Sequence, residues 1–264
     1  MPTGDCMRIF YKIPVLVCIG LMGLSAPAVA DHPEKIRFVT MMLVPYGFKG
    51  DDGKPAGYLK EIGDRIAEEA GMTIDNPLTP VRRIHQNMAK GTTDCMLAAR
   101  IPTTEAYNLV EPIGFSISLV IAPRTGLSIN TYDDLYGLRI AVARGTEGAF
   151  KKFAEDDNLQ RYMTSGYREN MVMLERGRVD AVYGAWGSLM FNLQQLGYDP
   201  AIIGKPYIFN QTPMWLICAN HLKDERKIRR LREATIRLRE SGYILKVIRR
   251  YIGRTIESAY HKTD

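Results

Sequence analysis

MAKGTTDCMLAAR (88–100) and LERGRVDAVYGAW (174–186) are near echoes, and their reading decides the fold. Each runs from a polar, helix-like stretch into Gly, two residues, Asp and a short apolar run. A glycine able to take left-handed φ ends a helix. The apolar run that follows has the length and flanks of a buried strand. Writing this unit twice predicts two halves built alike. The far ends of the two strands, Ala99-Arg100 and Ala185-Trp186, then fall at the carboxyl edges of their sheets, where open α/β sheets bind ligands. Two such edges facing each other enclose a cleft.

The pattern continues outward from both echoes. KIRFVTMML (35–43) is β-branched and apolar and predicts a strand, YLKEIGDRIAEEAG (58–71) a helix closed by Gly71, MTIDNPLTP (72–80) a short strand, and VRRIHQNMAKG (81–91) a helix leading into the first echo. PIGFSISLVIAPR (112–124) is strand-like, LRIAVAR (138–144) restarts the alternation, and GTEGAFKKFAEDD (145–157) opens a helix. Helices at 169–177 and 189–197 flank the second echo, and QTPMWLICANHL (211–222) returns as a strand. Strands alternating with helices are the signature of wound α/β sheets.

With 264 residues and 46% apolar content, the chain can bury one large core or two lobes of ordinary size. Arg8 and Lys12 precede IPVLVCIGLMGLSAP, and Ala28-Val29-Ala30 follows. That is a secretory signal, with cleavage expected after Ala30 and export of residues 31–264. The alternative is an uncleaved anchor, for which the apolar run is short. Val15-Leu16-Val17 before Cys18 is not a lipoprotein signal. Cleavage removes Cys6 and Cys18. Cys95 and Cys218 remain, both in apolar runs, and the expectation is buried free thiols, although export permits a disulfide. The net charge is +6, much of it in residues 223–252. There Ile228, Leu231, Leu238, Leu245 and Ile248 recur near helical spacing, which predicts amphipathic helices with solvated basic faces and no nucleic-acid partner.

In order and spacing, DGKPAGYLKEIGDRIAEEAG (52–71), KGTTDCMLAARIPTTEAYNLVEPI (90–113), TYDDLYGLRIAVARGT (131–146), LERGRVDAV (174–182) and ESGYILKVIRRYIG (240–253) resemble the bacterial extracellular solute-binding proteins of the amino-acid-binding type, the periplasmic receptors of ABC importers. The resemblance covers residues 34–255. It implies a two-lobed periplasmic-binding-protein fold, each lobe a wound α/β sheet, joined by two crossover hinge strands. Lobe 1 would combine 31–124 with 211–264, and lobe 2 would be 125–210. It also implies a periplasmic location, a small-molecule solute, an ABC permease or another partner in trans, no cofactor, and a monomer as the default.

The family's binding positions carry over only where residues match. Arg144-Gly145-Thr146 stands where a Gly-Thr before the second-lobe helix holds a ligand carboxylate. Free amides and a helix dipole favour an anion there; Thr146 as a plain N-cap is the other reading, and both can hold. Two anchors for an α-amino acid are missing: Ala106 replaces the Arg of Thr-x-x-Arg, and Ala185 replaces the Asp that pairs with the ammonium. A buried ammonium without its anion is costly. Substitutes are Arg100 (cleft or solvent), Arg82 at the start of its helix, and Tyr46 as an aromatic wall or core residue. Tyr183 and Trp186 lie beside Ala185 as candidate ligand contacts; Trp186 at a pocket mouth would stack on an apolar or planar ligand, or it would be buried under the hinge. Three arginines without a cleft Asp point to a carboxylate-bearing ligand.

Three function classes follow. A binding protein needs only a cleft, a hinge and a signal. An enzyme on the same fold, as in the family's dehydratases, needs a positioned acid or base. The only nearby acids placed from the sequence are Glu105 and Glu111, and His32, His85, His221 and His261 are scattered. No hydrolase or zinc motif is present, so the expectation is a non-enzyme with no metal site. An accessory or signalling protein would use the same cleft with a protein partner.

Overall fold

A computed structural model describes residues 34–252. The expected signal over 1–30 with its cut after Ala30, together with Cys6, Cys18, His32 and His261, lies outside them.

The first half runs β1 (Lys35–Met41), a small hairpin of β2 (Phe48–Lys49) and β3 (Pro55–Ala56), α1 (Tyr58–Glu69), β4 (Thr73–Asp75), β5 (Leu78–Thr79), α2 (Val81–Ala89) and β6 (Cys95–Ala99). The long strand β7 (Asn108–Pro123) follows. The second half runs β8 (Arg139–Ala143), α3 (Lys151–Glu155), β9 (Gln160–Thr164), α4 (Tyr167–Glu175), β10 (Ala181–Ala185) and α5 (Trp186–Gln195). Then come the long strand β11 (Tyr207–Cys218), α6 (Glu225–Glu240) and α7 (Tyr243–Ile252).

Nine strands form one sheet in the order β4-β1-β6-β11-β7-β10-β8-β9, with β5 beside β1. β4, β1 and β6 run parallel, and so do β9, β8 and β10. Each wing therefore places its second strand, then its first, then its third. Between the wings β7 and β11 run antiparallel to each other and to their outer neighbours. β7 and β11 each begin four residues before the expected strands, at Asn108 and Tyr207. Mutual pairing recruits these flanks, from Cys218 opposite Asn108 to Tyr207 opposite Ile121. A register shift between Pro213 and Trp215 accommodates a proline that cannot donate to the ladder. β9 was not legible as a strand: QRYMT is mostly solvent-facing and pairs on one side only.

The two echoes share one device. Gly91 and Gly177 both take left-handed φ, 71° and 64°. Asp94 then accepts the backbone N–H of Arg37 at 2.9 Å and grips its guanidinium through Nε (3.1 Å) and Nη2 (2.5 Å). Asp180 does the same with Arg139, at 2.9, 3.0 and 2.9 Å. In each wing the Asp before the third strand thus anchors the opening of the first strand by a charge-assisted fork.

The cysteine expectation is corrected. Cys95 and Cys218 are not free thiols but a disulfide across 123 residues. They are direct register partners on β6 and β11, a juxtaposition created only by the return of β11 to the first wing. The basic helices are amphipathic as expected, burying Leu231, Leu238, Val247 and Ile248. Their basic faces are not merely solvated, because Arg230 pairs with Glu34 (3.0 Å), Arg237 with Glu69 (3.0 Å) and Arg239 with Glu111 (2.6 Å).

Candidate functional site

A cleft of about 370 Å³ opens where β1, β6 and β10 end and the loop after β8 begins. That size suits a small solute. Its lining is mainly apolar, with Met41, Met96 and Met214 beside Ile84, Ile117 and Leu119. Ala99 and Ala185, the strand ends of the two echoes, both line it.

Five expected residues meet there: Tyr46, Arg82, Gly145, Thr146 and Tyr183. Tyr46 is 3% exposed and packs on Tyr58 at 5.2 Å between ring centroids, so it is both wall and core. Tyr183 is fully buried and stacks on Phe153 at 4.4 Å. Its hydroxyl makes no hydrogen bond of ordinary geometry. Burial, then the neighbouring Tyr167 and the charge of Glu147, push its phenol well above the usual range, against a weak opposing pull from the Phe150 backbone. Arg82 is exposed, and its stem lies against Gly145. A Cβ at Gly145 would stand 2.9 Å from the Arg82 Cγ and 3.1 Å from the Val81 Cβ. The loop after β8 therefore touches the start of α2, and the two wings close on the cleft from both sides.

Arg100, Arg144 and Trp186 do not line it. The Arg100 Nε donates to Glu105 at 2.9 Å on the exposed surface. Arg144 is also exposed and reaches the Met163 carbonyl at 3.4 Å. Trp186 is the first residue of α5 and packs against the main core, because the chain turns into a helix directly after Ala185.

The Gly145-Thr146 segment also differs from expectation. It leads into a short 3-10 turn, Glu147–Ala149, and α3 has only five residues, so little helix dipole is available. The Thr146 hydroxyl donates to the Ala143 carbonyl at 2.7 Å instead of capping a helix. The Gly145 N–H donates to the chain's own Glu147 Oε2 at 2.6 Å. The amide expected to hold a ligand carboxylate is already occupied by an internal one.

The sequence reading missed Glu147, His85, Gln86 and Tyr167 as lining residues. Glu147 had a local signal, two residues after Gly145. Tyr167 had none, since it arrives from the start of α4, where its hydroxyl accepts the Ala185 N–H at 3.4 Å. His85 is held near Tyr107, stacked at 6.2 Å, and burial lowers its pKa, so the ring is neutral at neutral pH. The two acids picked out from the sequence are engaged elsewhere, Glu105 by Arg100 and Glu111 by Arg239. Among the described residues, no group of three or more His, Cys, Asp or Glu is placed to hold a metal ion. No helix of the described chain is long and apolar enough to cross a membrane.

No family model matches the chain. It is 22% identical over 222 residues to the probable amino-acid-binding protein YxeM of Bacillus subtilis (strain 168), covering 80% of this chain and 81% of that one. It is 21% identical over 163 residues to a probable amino-acid ABC transporter-binding protein of Haemophilus influenzae, covering 59% and 63%. Among solved structures, an ancestral arginine-binding protein bound to glutamine superposes with a TM-score of 0.67 at 20% identity, over 84% of this chain and 100% of that one. The architecture is the type II periplasmic-binding-protein fold, and the chain is similar in sequence to amino-acid-binding proteins.

Proposed function

We propose that this chain, like the relatives it resembles, is a periplasmic solute-binding protein that captures a small solute and presents it to an ABC permease. On this reading 31–124 with 211–264 form one lobe and 125–210 the other, and β7 and β11 are the hinge about which they close. The observation that carries it is the cleft itself, an apolar cavity walled by both wings of the sheet and bridged by Gly145 against Val81 and Arg82.

The expectation of a carboxylate-bearing solute now leans on Arg82 alone. Arg100 and Arg144 lie outside the lining, and the Gly145 amide already has a carboxylate partner. Small carboxylates therefore belong in the test panel as one class among several.

Melting temperature measured against amino acids, carboxylates, amines, sugars and aromatic solutes tests the reading. A solute at a hundred times its Kd adds about 2.7 kcal/mol, a rise of roughly 5–10 °C for a chain of this size. A dehydratase-like enzyme remains the competing class, since Glu147 and His85 line the same cleft. Recovery of the bound solute unchanged after long incubation favours binding, and its conversion favours the enzyme.

A further inference from the structure

We infer that Glu147 makes this cleft selective for a cationic amine carried on an apolar body, in place of an α-amino acid. The inference rests on the solute-binding reading above and concerns the same cleft.

Four observations converge. First, Glu147 lines the cavity and its Oε2 is seated on the Gly145 N–H at 2.6 Å. A ligand carboxylate brought to that amide would have to displace Glu147 or lie against a like charge. Second, a carboxylate has about four acceptor positions, and Glu147 uses one of them among the described residues. Its Oε1, without a partner among the described residues, can accept from an ammonium. Third, Tyr183 lines the same cavity as Glu147 and adds an aromatic ring, stacked on Phe153, to its wall. Fourth, the remaining walls suit an apolar body beside a cation. Tyr46 and Tyr167 present aromatic rings, and Met96 and Met214 present soft thioethers.

What the cleft lacks points the same way. Ala185 lines it with a methyl group. Arg82, its one lining arginine, is exposed, with its stem against Gly145. A cation drawn into an apolar cavity needs an anion beside it, and Glu147, half-buried, is the acidic residue in the lining.

The test uses the full chain and matched probes that differ only in charge: 2-phenylethylamine, 3-phenylpropionate and L-phenylalanine, and likewise hexylamine, hexanoate and norleucine. Calorimetry is run on the wild type and on Glu147→Gln, which keeps an acceptor for the Gly145 N–H and removes the charge. The expected result is amine binding at least tenfold tighter than that of the matched acid and amino acid, with a loss of at least tenfold in Glu147→Gln. Tighter binding of acids or amino acids by the wild type overturns the inference, even if the variant fails to fold. Amine binding left unchanged in a folded Glu147→Gln also overturns it. In both cases the solute-binding reading stands. If neither these probes nor a broad solute library bind, that reading falls as well.

Discussion

Gly145, from the loop after β8, packs directly on Arg82, the second residue of α2. With φ at +95° and only 2.9 Å between an added Cβ and the Arg82 Cγ, no other residue fits that contact without movement. The contact joins the two wings across the cleft, so on the hinged two-lobe reading the backbone at 145 would set how far they close.

Gly145→Ala should therefore weaken closure. Left-handed backbone costs a non-glycine residue about 1–2 kcal/mol, and the Arg82 N at 3.1 Å from the new Cβ is backbone, which cannot swing aside. A solute found by the melting panel should bind at least tenfold more weakly to this variant by calorimetry. Unchanged affinity would mean that closure does not use this contact.

Removing the Cys95–Cys218 disulfide should cost most of all. It closes a loop across 123 residues, for which the chain-entropy model gives about 4–5 kcal/mol. Cys95→Ser/Cys218→Ser should melt roughly 10–15 °C lower. A variant melting within about 2 °C of the wild type would show that the bridge adds little.

Acid should unfold the protein through Asp94 and Asp180. Burial works against the Asp94 charge, but hydrogen bonds from Arg37 and His221 outweigh it. For Asp180 the Arg139 guanidinium dominates, and both carboxyls sit below the usual value of 3.8. A folded pKa below the unfolded one gives stability that is complete above about pH 4 and lost as pH falls through the folded values. Asp94→Asn and Asp180→Asn should each cost about 1.5–3 kcal/mol at pH 7 and flatten the fall below pH 4, read from urea midpoints. A slope as steep as that of the wild type would place the acid sensitivity elsewhere.

Tyr183→Phe should stabilise the unliganded protein. It removes a buried hydroxyl that makes no ordinary hydrogen bond and keeps the stack on Phe153. The gain is about 1 kcal/mol, or 2–4 °C in Tm. A lower Tm would show that the hydroxyl is satisfied in solution.

Most of the fold was legible because its signals are local. KIRFVTM and LRIAVA are largely apolar and β-branched, with Arg37 and Arg139 near their openings, as mostly buried strands require, and Gly91 and Gly177 mark helix ends. β9 was not legible, because an edge strand such as QRYMT needs neither an apolar run nor a partner on its outer side. At the site, Tyr46, Arg82, Gly145, Thr146 and Tyr183 lie beside strand ends and were reachable by position. Arg100 was not resolvable from position, since a side chain at a strand end can turn to the cleft or to Glu105, and the local pair decided it. Trp186 was misplaced by a single residue, enough to move it from a strand end into the first turn of α5.

By itself the sequence determined two like halves, the glycines that end their helices, and alanines at 106 and 185, where the family resemblance implies an arginine and an aspartate. These are properties of residue type and spacing along the chain. Only the tertiary structure decided that Asp94 and Asp180 each hold an arginine from another strand, that Cys95 meets Cys218, and that Glu147 and Tyr183 share one cavity. Those pairings join residues far apart in sequence, and strand register brings them together: β1 beside β6 for Asp94, β8 beside β10 for Asp180 and for the Glu147–Tyr183 cavity, and the return of β11 beside β6 for the two cysteines.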